Sequence, residues 1–196
     1  MKRLPASLLF LALAGLAARP VAAQQVLDDP KLDSVQLQVR DALYRLRDSL
    51  TLVNAATARI QRDIRTTSDQ VLQTRARAVA SRCAAAAAVI PSTREIVTAH
   101  PMPQPDPRGI RAGLERALAA LEGEMKACHA EFEGLSVREK ADELRGYGVG
   151  KGEKVRDASH RYQPAVESYF RVALGVRYMP AMRGGVAEPD GRAPGL

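Results

Sequence analysis

The sequence predicts an all-α protein, an elongated antiparallel helical hairpin or coiled-coil bundle with one very long N-terminal helix. Apolar residues recur in alternating steps of three and four, which is typical of helices that pack along a seam. Only eight of the 196 residues are aromatic, so a core must be assembled from aliphatic side chains and alanine, which suits helices better than a β-sandwich. Neither proline nor glycine occurs between Lys31 and Ile90.

Residues 1–23 have the pattern of a secretory signal peptide. Lys2 and Arg3 precede a 13-residue apolar run from Ala6 to Ala18, and small residues follow at 21–23. We therefore expect an exported chain, periplasmic or extracellular, whose mature form begins at Gln24. No later apolar stretch approaches the ~18 residues that a membrane span requires.

Removal of the signal peptide changes the charge of the working protein. Without Lys2, Arg3 and Arg19, 26 basic and 22 acidic residues remain, so the net charge falls from +7 to +4. Nucleic-acid binding would require a strongly basic surface and aromatic stacking platforms, and this composition favours neither.

The first helix is predicted over residues 30–90. Asp29 can cap it, and Pro30 suits the first helical position because its missing N–H would have no partner there. The first part of its seam contains twelve residues, ten of them aliphatic: Leu32, Val35, Val39, Leu43, Leu46, Leu50, Val53, Thr57, Ile60, Ile64, Thr67 and Val71.

After Val71 the seam moves by one residue. The new series is Leu72, Ala76, Val79, Cys83, Ala86 and Ile90. A nearly straight helix accumulates such a shift over about five heptads, and a change of packing partner would produce it equally well. At Pro91 the helix is expected to kink, with an extension to residue 100 left open.

The rest of the chain is predicted to be helical, with two interruptions and a tail. A turn is expected at residues 101–107, which contain four prolines, and a hinge at residues 146–152, where glycine occupies every second position. The tail, residues 183–196, is expected to be disordered. The predicted helices are 108–134, 136–145, where Ser136 and Glu139 form a capping-box pattern, and 153–178.

The two cysteines are predicted to form one structural disulfide. Cys83 lies on the seam of the first helix and Cys128 lies on the seam of the second. The second seam consists of Leu114, Leu118, Leu121, Met125, Cys128, Phe132 and Leu135. Counted from Gln104 in the proline-rich turn, they lie 21 and 24 residues away, which places them nearly in register in an antiparallel hairpin. Export favours oxidation, whereas two free buried thiols or an intermolecular bridge are the alternatives.

No residue pattern predicts a catalytic centre, metal site or cofactor. His129 with Glu133, and Asp157 with His160, could each share a helix face, but a metal site in a bundle needs several converging ligands. Haem attachment needs a Cys-x-x-Cys-His sequence that is absent. The glycine-rich segment lacks the Gly-Lys-Ser/Thr of a phosphate-binding loop, and no Gly-x-Ser-x-Gly occurs.

Positive charge is concentrated in the first helix. Residues 40–82 contain nine arginines and four aspartates, whereas residues 83–146 contain eight basic and ten acidic residues. Charge complementarity between two antiparallel helices is one interpretation. The other is a face that contacts an anionic partner such as lipid head groups, lipopolysaccharide, a cell-wall polymer or an acidic protein. The candidate residues are Arg59, Arg62, Arg65, Arg75, Arg77 and Arg82.

These observations favour a non-enzymatic interaction module of the cell envelope: a scaffold, adaptor or chaperone-like protein. Its helix seams would recruit a protein partner or a second copy of the chain. The alternative is a helical bundle that binds a small ligand or a metal through Glu, Asp and His residues of its last helices. An enzyme with an unrecognised site is the third hypothesis.

Overall fold

A computed structural model describes residues 32–102, 106, 109–137 and 140–180. These residues form four α-helices and no strand: α1, Ser34–Asp63; α2, Asp69–Ala99; α3, Ile110–Leu135; and α4, Ala141–Tyr169. A π-helical turn, Phe170–Leu174, continues α4. The all-helical prediction is confirmed over this part of the chain, whereas the predicted signal peptide and disordered tail lie outside the described residues.

The single helix predicted over residues 30–90 is wrong, because a turn at residues 64–68 divides it into α1 and α2. The backbone N–H groups of Thr66 and Thr67 both donate to the Asp63 carbonyl, each at 3.1 Å. Ser68 then takes the extended backbone conformation of an N-cap residue, and Asp69 places a negative charge in the first turn of α2. Hydroxyl and carboxylate side chains compete with helical hydrogen bonding, and a run of them allows the chain to reverse here.

The seam shift after Val71 therefore marks a change of packing partner. Every residue of the second series, from Leu72 to Ile90, is buried on α2. On α1 the first series is buried from Val39 to Ile64, but Val71 at its far end is exposed. The continuous heptad pattern arose because the two helices happen to place apolar residues at compatible spacing on either side of the turn.

The start of α1 is also later than predicted. Leu32 and Asp33 precede the helix, and the predicted cap at Asp29 lies outside the described residues. Asp33 accepts a hydrogen bond from the Gln36 backbone N–H at 2.8 Å, and the Gln36 side chain accepts one from the Asp33 N–H at 3.0 Å. This reciprocal pair is a capping box.

Pro91 lies inside α2, which runs on to Ala99 as the predicted extension allowed. α3 begins close to its predicted start and continues through Gly134 to Leu135. The predicted capping box at Ser136 does not start a new helix there. Its hydroxyl donates back to the Glu133 carbonyl at 2.8 Å, so Ser136 ends α3, and Glu139 lies outside the described residues.

The hinge predicted at residues 146–152 is also wrong, since α4 runs through all four glycines. Gly148 and Gly152 are buried where α4 approaches α1 closely. A Cβ atom added at Gly152 would lie 3.2 Å from the Cβ of Thr57 and 3.1 Å from Nε2 of Gln61. Gly146 and Gly150 have open space at the corresponding point. The alternation therefore reflects helix packing and not chain flexibility.

The four helices pack as a bundle, in which α1 contacts α2 and α4, and α3 contacts α2 and α4. All seven predicted seam residues of α3 are buried, and Val155, Tyr162, Val166 and Tyr169 of α4 are buried as well. The turns α1–α2 and α3–α4 lie together at one end. The end of α2 and the start of α3 lie at the other end, beside the C-terminal end of α4. The predicted apolar seams therefore pack against one another within a single chain.

Candidate functional site

The cysteine pair joins α2 to α3 near the middle of both helices. The two sulfur atoms lie 2.06 Å apart and the two Cα atoms 5.9 Å apart, so Cys83 and Cys128 are at disulfide distance, as predicted. Both residues are buried on the seams of their helices. The pair is enclosed in the core, which is the environment of a structural disulfide and not of a reactive thiol.

The six candidate arginines do not lie on one helix face, because the turn at 64–68 distributes them over two antiparallel helices. Arg59 and Arg62 belong to the last turns of α1, Arg65 to the turn, and the other three to α2. Arg75 forms an ion pair with Asp63 at 2.7 Å, and Arg82 donates to the Leu52 carbonyl at 3.2 Å. These two side chains therefore connect α2 to α1.

Three of the six arginines remain exposed without a carboxylate within 4 Å among the described residues: Arg62, Arg65 and Arg77. The carboxylates of α3 have other partners. Glu122 pairs with Lys126 and Arg94, Glu131 with Lys151, and Glu124 with Arg161. These partners, Arg94, Lys126, Lys151 and Arg161, all lie outside the arginine-rich segment 40–82, so these pairs are not the predicted complementarity between a basic first helix and an acidic second one.

The exposed arginines lie within about three helical turns of the α1–α2 turn, and two exposed apolar side chains lie in nearby turns of α2 and α4. Val71, in the first turn of α2, is 42% exposed, and Tyr147, in the second turn of α4, is 64% exposed. We call this surface the arginine end, defined by Arg62, Arg65, Val71, Arg77 and Tyr147. Its exposed tyrosine and arginines are the residue types that carry most binding energy in protein interfaces.

Arg145 fixes the arginine end by holding α4 against the turn. Its guanidinium donates to the carbonyl of Ile64, to the carbonyl of Thr67 at 2.8 Å and to the carboxylate of Asp69 at 2.5 Å. Ile64 is the C-cap of α1, where a helix dipole favours a cation, and Thr67 lies in the turn that follows. The sequence carries no local sign of this role, because the partners are about 80 positions away from Arg145.

The opposite end of the bundle holds a buried polar cluster that the sequence did not reveal. His100 is 2% exposed, and its Nδ1 atom lies 2.9 Å from the Tyr169 hydroxyl. The Arg111 guanidinium donates to the His100 carbonyl, and the Asp106 carboxylate accepts the backbone N–H of Ile110 at 3.0 Å. Burial lowers the pKa of His100 and raises the pKa of Tyr169 to about 12.

The predicted histidine–carboxylate pair on α3 is present, but it does not form part of a larger ligand set. His129 Nε2 lies 3.2 Å from a Glu133 carboxylate oxygen, and its Nδ1 lies 3.2 Å from the Ala80 carbonyl. No group of three His, Cys, Asp or Glu residues in the described part of the chain is placed to hold a metal ion. The pair therefore links α3 to α2.

None of the described helices combines the length and the apolar character needed to cross a membrane. Comparison of the chain with protein-family models, with curated proteins and with solved structures gives no match.

Proposed function

We propose that this chain is an exported, non-enzymatic interaction module that binds an acidic partner through the arginine end. The observation that carries the proposal is the exposure of Arg62, Arg65 and Arg77 at the same end of the bundle as an exposed tyrosine, with no described carboxylate within 4 Å of the three guanidinium groups. Unpaired guanidinium groups favour a partner that supplies carboxylates, and Tyr147 supplies the apolar contact.

The bundle would present this surface rigidly. Arg145 holds α4 to the α1–α2 turn, and the cysteine pair holds α2 to α3. These contacts connect α3 and α4 to the two helices that carry the arginines. A pre-organised surface loses less conformational entropy on binding. The helix seams are covered within the chain, so in this proposal a partner contacts the arginine end and not, as the sequence suggested, a free coiled-coil seam.

In this proposal the encounter occurs outside the cytoplasm, in the periplasm or the extracellular space, as the signal-peptide pattern predicts. In an oxidising compartment the pair Cys83–Cys128 would remain closed. An acidic protein of the envelope is the partner that fits both the charge and the exposed tyrosine. A purely anionic polymer would use the arginines but not Tyr147.

Charge reversal tests the proposal. The full chain, with Arg62→Glu and Arg65→Glu combined, is compared with wild type for partners retained from the native envelope fraction. Arg116→Glu, at an exposed arginine of α3 outside the arginine end, is the matched control. We expect a retained acidic protein that is lost in the double variant, kept in the control and released by added salt. Equal retention by all three forms would contradict the proposal.

A further inference from the structure

A cleft of about 460 Å³ lies between the end of α4 and the segment that follows it. It is lined by Glu167, by Arg171 and by residues 175–178 and 180. This volume lies in the range of 300–1,000 Å³ that is typical of small-molecule sites. The cleft is at the opposite end of the bundle from the arginine end, so it would be a separate site.

The backbone that forms the cleft is fixed at both ends. The Val176 N–H donates to the Phe170 carbonyl at 3.2 Å, and Gly175 takes a φ of 68°, which reverses the chain after the π-helical turn. Further along, Arg47 donates to the Met179 carbonyl at 2.8 Å. The cleft is therefore pre-formed, and π-helical turns are frequently found at functional sites.

Aromatic packing sets the floor of the cleft. The Tyr178 ring lies 5.0 Å from the Phe170 ring and 5.8 Å from the Tyr44 ring, measured between centroids. Tyr178 and Val176 are both largely buried, and each contributes atoms to the lining. Only the edges of these two side chains, each 7% exposed, would therefore be open to a ligand.

The rim of the cleft carries a net charge of +1. Arg171 and Arg177 are exposed, and neither has a carboxylate within 4 Å among the residues that the structure describes. Glu167 is the one acidic lining residue, and its carboxylate accepts a hydrogen bond from the Gln163 amide at 2.8 Å. A monoanionic group would balance this charge, whereas Glu167 would repel a dianion such as a phosphate monoester.

We propose that this cleft binds a small carboxylate with an apolar body, held by Arg171 and Arg177 above a floor of Val176 and Tyr178. The guanidinium fork matches the two oxygens of a carboxylate. The apolar body would cover the edges of Val176 and Tyr178 that remain exposed. The site does not depend on the arginine end, so either proposal can fail without the other.

Octanoate is a suitable probe, with octanamide as its neutral counterpart of nearly equal shape. Each is titrated into the full oxidised chain and followed by calorimetry and by the amide shifts of residues 175–180. We expect saturable octanoate binding and at least about tenfold weaker binding by Arg171→Gln and by Arg177→Gln, since a charged hydrogen bond contributes this much. Arg116→Gln, outside the cleft, should leave the affinity unchanged.

Glu167→Gln provides a test with the opposite sign. It removes the one repulsive charge, so octanoate should bind more tightly than to wild type, a gain that a misfolded variant would not show. The proposal is overturned if octanoate does not saturate, if octanamide binds equally well, or if Arg116→Gln weakens binding as much as the cleft variants do.

Discussion

The Nδ1 atom of His100 lies 2.9 Å from the Tyr169 hydroxyl oxygen, which connects the end of α2 to the end of α4 across the core. Arg111 of α3 donates to the carbonyl of the same histidine, and Asp33, the N-cap of α1, lies near enough to influence its charge. His100 therefore interacts with residues at the ends of α3 and α4 and is influenced by the charge at the start of α1.

Acid should weaken this junction. Burial lowers the pKa of His100 below its ordinary value of 6.5, so the unfolded chain binds a proton more readily than the folded one. The resulting stability is fully present above about pH 6.5 and is lost as the pH falls through the lowered pKa of the folded state. We expect the denaturant concentration at the unfolding midpoint to decrease as the pH is lowered from about 7 to about 5.

His100→Gln is the matched variant, because the amide can still bond to the Tyr169 hydroxyl but does not titrate. Its midpoint should vary less with pH in this window than that of wild type. An identical pH dependence in the two proteins would show that other groups cause the effect.

Removal of the cysteine pair should lower stability without changing the fold. The bridge closes a loop with a sequence separation of 45, for which the chain-entropy model gives about 4 kcal/mol as an upper value. The Cys83→Ala, Cys128→Ala double variant should lose about 2–4 kcal/mol in chemical unfolding. A thiol count on the unfolded, unreduced wild type should find no free thiol, and a count of two would refute the bridge.

The alternating glycines of α4 provide a matched pair of substitutions. Gly150→Ala adds a methyl group in open space and should stabilise α4 by about 0.5–1 kcal/mol, the helix-propensity difference. Gly152→Ala places the methyl group 3.2 Å from the Cβ of buried Thr57, which cannot rotate away, so it should destabilise by about 1–3 kcal/mol. Thermal unfolding measures both. Equal gains at the two positions would contradict the close approach of α4 to α1.

Loss of Arg145 should loosen the arginine end. Arg145→Ala removes a charged donor shared by Ile64, Thr67 and Asp69, and the expected cost is about 1–3 kcal/mol. Amide exchange should quicken at residues 64–69 in particular. Arg161→Ala, which removes an exposed pair with Glu124 at 3.6 Å, should cost less than about 0.5 kcal/mol. Unchanged exchange in the turn would show that Arg145 does not hold it.

Helix periodicity allowed most of the core to be predicted. The buried faces of α2 and α3 follow the predicted seams residue by residue, because burial at steps of three and four is what a packed helix requires. The turn at residues 64–68 was missed because it contains neither proline nor glycine, and apolar residues flank it at spacings that a continuous helix also satisfies. The run Thr66-Thr67-Ser68-Asp69 was its one local signal.

The hinge prediction at residues 146–152 was wrong for the opposite reason, because a local signal was present but misleading. Gly148 and Gly152 suggest a helix break when they are considered in isolation, but close packing against α1 favours glycine at both positions. Gly148 lies against Ile60 and Ile64, and Gly152 lies against Thr57 and Gln61. No local sequence pattern indicates the long-range polar contacts. Neither the link between His100 and Tyr169 nor the contacts of Arg145 can be read from residues so far apart in the chain.

Site-specific photo-crosslinking tests the interaction surface most directly. A benzoylphenylalanine at position 147 is introduced into the exported chain in its native host, with position 116 on α3 as the control site. We predict an adduct with an acidic envelope protein from position 147 that disappears when Arg62→Glu and Arg65→Glu are combined with it. The same adducts from both positions, or an adduct from 147 that survives charge reversal, would contradict binding at the arginine end.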